Sequence, residues 1–196
     1  FRMTPDYGYQ LTALPSNDEK LTAREEQSTF EYIMPDTNVH ICGIFEEVED
    51  KVVTASTEVK TGEIQIDDSE IASGSVVLSV KDAELTEAQK AEFAKAATDY
   101  QIASYLNLDL DQVLYKGTAD EVWSNSLNTL KNSATVKLQL AQGVDGKELV
   151  IVHEKHDGTY EILPVIYDSA TQTITFETTS FSNYAIARKT ESDDNG

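Results

Sequence analysis

The stretch ELVIVHEKHDGTYEILPVIYDSATQTITFETTSFSNYAIA, residues 148–187, decides the fold class. Two apolar runs, 149–152 and 160–167, flank His156, Asp157, Gly158 and Thr159. Asp-Gly between such runs predicts a hairpin whose two central residues both take φ > 0. A polar turn at 168–172 follows. Alternation then resumes, with Ile174 and Phe176 on one face, and Tyr184 and Ile186 beyond them. A period of two carried through the whole stretch predicts an antiparallel β meander.

The segments before it extend the same pattern. Val136, Leu138 and Leu140 form an alternating strand that Gly143, Val144, Asp145 and Gly146 turn into the meander. Ile102, Ser104, Leu106, Leu108 and Leu110 alternate with polar residues, as in a strand with one buried face. Between that strand and Val136, residues 116–133 carry Trp123 and Leu127 and read as a loop. One helix is predicted over 86–99. Thr86 and Gln89 form a capping box, Glu87 suits the positive end of the helix dipole, and Phe93, Ala96, Ala97 and Tyr100 fall on one side. Ile64 and Ile66, then Val76, Leu78 and Val80, give the first strands of this domain. About eight strands and one helix predict a mostly β, α+β domain: an antiparallel β-sandwich over 63–189 with the helix on its face or edge.

The first 46 residues read as a separate small β unit. Pro5, Asp6, Tyr7 and Gly8 make a turn, Leu11 opens a run to Leu14, and residues 17–27 read as a loop or short irregular helix. Phe30, Tyr32 and Met34 alternate, Pro35 to Asn38 turn the chain, and Val39, Ile41, Gly43 and Phe45 share one strand face. Residues 47–62, acidic and rich in Thr and Ser, are predicted to be an interdomain linker. Residues 190–196 form an acidic tail expected to be mobile.

Composition bounds the function. Fifteen basic against 35 acidic side chains leave a formal charge of −20, a field that repels phosphate backbones and anionic lipid surfaces. Nucleic acid and electrostatic membrane binding are therefore excluded as expected partners, and a monomer is expected. A single cysteine, Cys42, excludes an intrachain disulfide and a multi-thiolate metal site. The sequence contains no apolar run of membrane-spanning length. It starts at Phe1 rather than Met, as expected of a processed or excised fragment.

Two resemblances add to this reading. Pro5, Asp6, Tyr7, Gly8 and Tyr9, then Phe30, then Met34 through Val39 and Phe45, resemble the divergent internalin B-type repeat of bacterial surface proteins. That resemblance implies a β-grasp-like module over 1–46, truncated at its start. Leu85 to Gln89, the strand 100–110, His156 to Gly158, Leu163-Pro164 and the ending 175–185 resemble an uncharacterised domain found near the C-terminus of Gram-positive surface proteins. Its Phe181-Ser182-Asn183-Tyr184-Ala185 close is similar to that of ZU5-like sandwiches. The resemblance implies a cell-surface or cell-wall location and assigns no catalytic residue. No Leu-Pro-x-Thr-Gly sorting signal stands in the sequence.

Few residues suggest chemistry. His40 and Cys42, two apart on a strand and so about 6.6 Å apart, could form a dyad, but nothing nearby suggests an orienting group. His153 and His156 flank the hairpin turn with Glu154, Asp157 and Glu161 close in sequence, and are expected at a solvated tip with diverging rings rather than on zinc. Asp67, Asp68, Glu70, Asp109, Asp111 and Asp145 offer oxygens for weak calcium binding, without EF-hand spacing. Tyr7, Tyr9, Tyr105, Trp123 and Tyr160 are candidates for stacking on sugar rings. An isopeptide bond between Lys81 and Asn183 is a further possibility in a surface stalk. No hydrolase elbow, zinc-protease motif or nucleotide fingerprint is present, so no enzyme, cofactor, metal or catalytic residue is expected. The function expected is a spacer or adhesion scaffold on a bacterial surface, its partner an unidentified host or cell-surface protein or glycan. The alternative is a glycan-binding accessory module of a secreted enzyme.

Overall fold

The computed structural model describes residues 1–13, 21–118, 121–144 and 148–189. The elements in chain order are β1 (Tyr9–Ala13), β2 (Leu21–Ala23), β3 (Phe30–Tyr32), β4 (Ile44–Glu47), β5 (Lys51–Ala55), β6 (Val59–Gln65) and β7 (Ser75–Asp82), then α1 (Glu87–Ala96). There follow β8 (Tyr100–Thr118), β9 (Glu121–Ser126), β10 (Thr129–Leu140), β11 (Leu149–Glu154), β12 (Tyr160–Pro164), β13 (Ile166–Asp168), β14 (Thr173–Ser180) and β15 (Asn183–Lys189). The fold is mostly β, a sandwich carrying one helix among the described residues. Its backbone contacts divide it into two compact units, one of residues 1–50, 68–77 and 111–126, the other of 51–67, 78–110 and 127 onward.

The larger unit is built in layers. One sheet has the order β13-β14-β10-β6; the other runs β12-β11-β15-β8-β7-β5, while residues 111–118 of β8 pair with β9 within the smaller unit. Val136 lies across from Phe176 and Leu138 across from Ile174, and all four are almost fully buried. Phe176 meets Tyr184 of the other sheet with ring centroids 5.8 Å apart, so these side chains fill the space between the sheets. On the opposite face of the longer sheet, Val150, Val152, Ala185 and Ala187 pack under Phe93 and Ala97 from α1. Strand β11 is thus covered on both sides, which is why its Leu149–Val152 run is continuously apolar rather than alternating.

Helix α1 starts where the capping box predicts. Thr86 Oγ1 accepts from the Gln89 N–H at 3.3 Å, and Gln89 Oε1 accepts from the Thr86 N–H at 3.0 Å. Phe93, fully buried, sits edge-on to Tyr105 (5.5 Å) and Tyr160 (4.9 Å). The Phe93, Ala96, Ala97 and Tyr100 stripe is the face against the sheet, although regular helix ends at Ala96 rather than 99.

The meander does not form one sheet. β11 and β12 pair as a hairpin in the longer sheet and β13 and β14 as a hairpin in the shorter, so the chain changes layer at Val165 and again between β14 and β15. Pro164 explains the first change, since it offers no N–H to continue a ladder. The hairpin turn also differs from expectation, because Gly158 alone takes a positive φ, 80°. The Gly158 N–H donates to Lys155 O, and Asp157 Oδ1 accepts from the Thr159 N–H, so one glycine and one Asx turn accomplish the reversal.

Other expectations are corrected. The predicted linker at 47–62 contains β5 and the start of β6, which belong to different sheets, and the turn between them is held by Asp82, which accepts from Thr57 N–H and Oγ1. β-Branched Thr and Val favour strand where composition alone suggested a tether. The predicted loop at 116–133 is the end of β8, all of β9 and the start of β10. Leu21–Ala23, within the predicted loop or helix, is strand β2, paired with β3. The strand expected from Val39 to Phe45 begins only at Ile44. Leu14, residues 17–20, Asp145, Gly146 and the tail 190–196 lie outside the described residues.

The smaller unit pairs β1 with β4 and β2 with β3. Leu11, Phe30, Leu114 and Trp123 form its core. Tyr7 donates its hydroxyl to Asp50 at 2.6 Å, and Asp50 accepts the Val76 N–H at 2.8 Å.

Candidate functional site

The densest cluster of chemistry-bearing side chains surrounds His153 in the larger unit. The register of the β11–β12 hairpin places His153 directly across from Glu161, and the β11–β15 register places it across from Tyr184. His153 Nδ1 lies 2.9 Å from Glu161 Oε1, while Nε2 lies 3.0 Å from Ser182 Oγ and 3.4 Å from Ser180 Oγ. The imidazole is fully buried and stacks on the Tyr184 ring at 4.2 Å and 10°. His153 is therefore not part of a solvated tip; His156 is, exposed and near Asn128 O at 3.3 Å. The two rings have separate surroundings.

Protonation follows from the network. Burial lowers the His153 pKa, and the neighbouring Glu161 carboxylate offsets this only in part. Burial would raise Glu161, but hydrogen bonds from Lys155 and His153 outweigh it and the net direction is down. Glu161 is thus an acceptor and the Nδ1 proton points to it, leaving Nε2 to accept from a serine. Ser182 is also placed to donate to the Glu154 carbonyl; when it does, Ser180 is the remaining donor to Nε2. The Tyr184 hydroxyl bonds Thr178 and Ser180 O, and burial raises its pKa.

The order serine, histidine, carboxylate is that of hydrolytic triads, and the distances fall within hydrogen-bond reach. Two donors beside the serines are committed elsewhere. The Phe181 N–H donates to Asn128 O, and Asn183 Nδ2 donates to Glu154 Oε2 at 2.9 Å. These bonds, with that from the Leu108 N–H to Ser182 O, tie the crossing from β14 to β15 to the end of β11, to β8 and to the residue before β10. The cluster fastens the point where the chain passes between layers. Part of its signal lay in the sequence: a two-residue Asp157-Gly158 turn pairs His153 with Ile162, one residue from the Glu161 that the three-residue loop 156–158 brings opposite, whereas Ser180 and Ser182 come close only through the sheet order.

The remaining candidates are dispersed. His40 and Cys42 are exposed and lie outside regular strand, so the spacing that would bring a thiolate and imidazole together is absent. Among the described residues no three or more His, Cys, Asp or Glu side chains form a group able to hold a metal ion. Asp109 pairs with Lys81 at 3.8 Å, and Asp111 accepts from Ser126 Oγ at 2.7 Å. Asn183 is bound by Asn107 and Glu154, so Lys81 and Asn183 are not brought together. Trp123 is 5% exposed and its Nε1–H donates to Arg24 O, which removes it as a stacking platform. Tyr160 is half-buried, with its hydroxyl on Glu154 and its pKa pushed up to about 12, first by burial and then by that carboxylate.

No helix of the described residues is long and apolar enough to cross a membrane. Comparison with protein-family models, curated proteins and solved structures gave no match to this chain.

Proposed function

We propose that the chain is a non-enzymatic part of a bacterial cell-surface protein, extracellular and wall-associated, acting as a spacer or adhesion scaffold toward an unidentified host or surface partner. The two resemblances, met in order along one chain, motivate the reading. The structural observation that supports it is the placement of β15. This strand lies inside the longer sheet, with register pairs to β11 on one side and to β8 on the other. A pull along β15 must shear both ladders at once rather than unzip one edge, and the cluster around His153 fastens its upstream end. A strand so placed suits a protein that transmits load. Protease treatment of intact source cells tests the proposal: release of peptides from this chain is expected, and recovery only after lysis would overturn it.

A further inference from the structure

We infer that the larger unit carries a binding cleft for a neutral saccharide, at the end of the sandwich where β8, β10 and β15 come together. The cleft has a volume of about 420 Å³, within the range of small-molecule sites. Its floor is aliphatic: Ile102 of β8, Leu140 of β10 and Ile186 of β15. Its rim is polar: Glu58, Gln101, Gln142 and Arg188.

Both sheets are irregular at this level. The β15–β8 register shifts between Ile186 and Ala187, and the β10–β6 register shifts between Gln139 and Leu140. Such irregularities re-aim side chains and part the ladder, and here they occur in both walls of one cleft. Arg188 is held in place, with Nε and Nη2 donating to Gln101 Oε1 at 3.0 and 2.6 Å. A fixed guanidinium, a carboxylate and two carboxamides are planar groups that bond adjacent hydroxyls in pairs, and an aliphatic floor accepts the C–H face of a pyranose. The charges of Glu58 and Arg188 offset each other, while the chain as a whole carries −20 and disfavours anions. An uncharged polyhydroxylated ligand fits all of these features. A load-bearing scaffold needs no such ligand, so the cleft stands or falls apart from that reading.

The test is an amide NMR titration of the ¹⁵N-labelled whole chain with glucose, galactose, mannose and N-acetylglucosamine, and with glucuronate as an anionic control. Saturable shifts from at least one neutral sugar, confined to the amides of 101–104, 142–144 and 186–188, are expected. The double variant Glu58→Ala/Gln142→Ala removes two exposed rim groups and should weaken that binding about tenfold or more while leaving the melting temperature near its original value. Silence to every neutral sugar, shifts that do not saturate or lie elsewhere, a response to glucuronate alone, or binding unchanged in a folded double variant would each overturn the assignment.

Discussion

His153 lies between two cross-strand neighbours of opposite character, the carboxylate of Glu161 on β12 and the ring of Tyr184 on β15. Glu161 fixes the Nδ1 proton at 2.9 Å, while the stacked Tyr184 ring and the two sheets exclude water. The second effect is the stronger, and the histidine is held neutral.

That neutrality has a pH signature. A histidine whose pKa is lower in the folded chain binds its proton more tightly when unfolded, so its contribution to stability is complete above its ordinary value near 6.5 and is lost as pH falls below it. Asp82 and Glu161, whose folded values are lowered, keep their contributions down to the ordinary carboxylate values of 3.8 and 4.5 and lose them only as pH falls from there through the lower folded values. Thermal melts between pH 7.5 and 5 should therefore show a decline that His153→Gln flattens. Parallel curves for the two proteins would contradict a buried neutral imidazole.

Phe93 is the anchor of the helical layer. It is fully buried against Tyr105, Tyr160 and the alanines of β15. Phe93→Ala should cost about 3–5 kcal/mol, by the transfer of the ring and the cavity it leaves. For a chain of this size that corresponds to a fall in melting temperature of about 10 °C. Urea unfolding with an unchanged slope measures it, and a loss below about 1 kcal/mol would show that α1 does not depend on this contact.

Thr86 is a smaller matter, exposed and acting only through its cap. Thr86→Ala should cost about 1 kcal/mol, whereas Thr86→Ser should retain most of the capping bond to Gln89. Hydrogen exchange at the Gln89 amide should speed about fivefold in the alanine variant alone, by the factor that 1 kcal/mol implies. Equal exchange in all three proteins would remove the cap from the account of α1.

What could be read in advance depended on how far each signal reached along the chain. The capping box, the Phe93 stripe and the alternation of Leu106, Leu108 and Leu110 are local, and each appears where the residues place it. Hairpin register is nearly as local, but the two-residue Asp157-Gly158 turn puts Ile162 across from His153, and only the loop 156–158, one residue longer, puts Glu161 there. Sheet membership is not local. Pro164 marks where one ladder stops but not which layer the next hairpin joins, and nothing at Ser182 says that β11 lies beside it. Strands β5 and β9 were hidden for a different reason: β5 is short and set among the acidic, Thr- and Ser-containing residues of 47–62, which imitate a tether, and β9 carries polar residues that read as loop, so that only pairing reveals them. The cleft at Arg188 depends on four separate segments and two register shifts, and no single motif carries it.

Gly74 and Gly158 have nearly the same backbone, φ 73° and 80°, yet opposite surroundings. A Cβ at Gly158 would meet nothing within 4 Å, so Gly158→Ala costs only the left-handed backbone, about 1 kcal/mol, and Gly158→Asn less. At Gly74 the same atom would stand 2.2 Å from the Val113 carbonyl oxygen, a backbone atom that cannot swing aside. The Gly74 N–H also donates to Asp6 O, and its own carbonyl accepts from the Gly8 N–H, so the segment cannot shift without breaking both bonds. Gly74→Ala should cost well over 3 kcal/mol and abolish protection of the Gly8 and Gly74 amides in hydrogen exchange, leaving β11–β15 protected. Similar costs at the two glycines would mean that φ alone governs them and that the close approach to Val113 is relieved in solution.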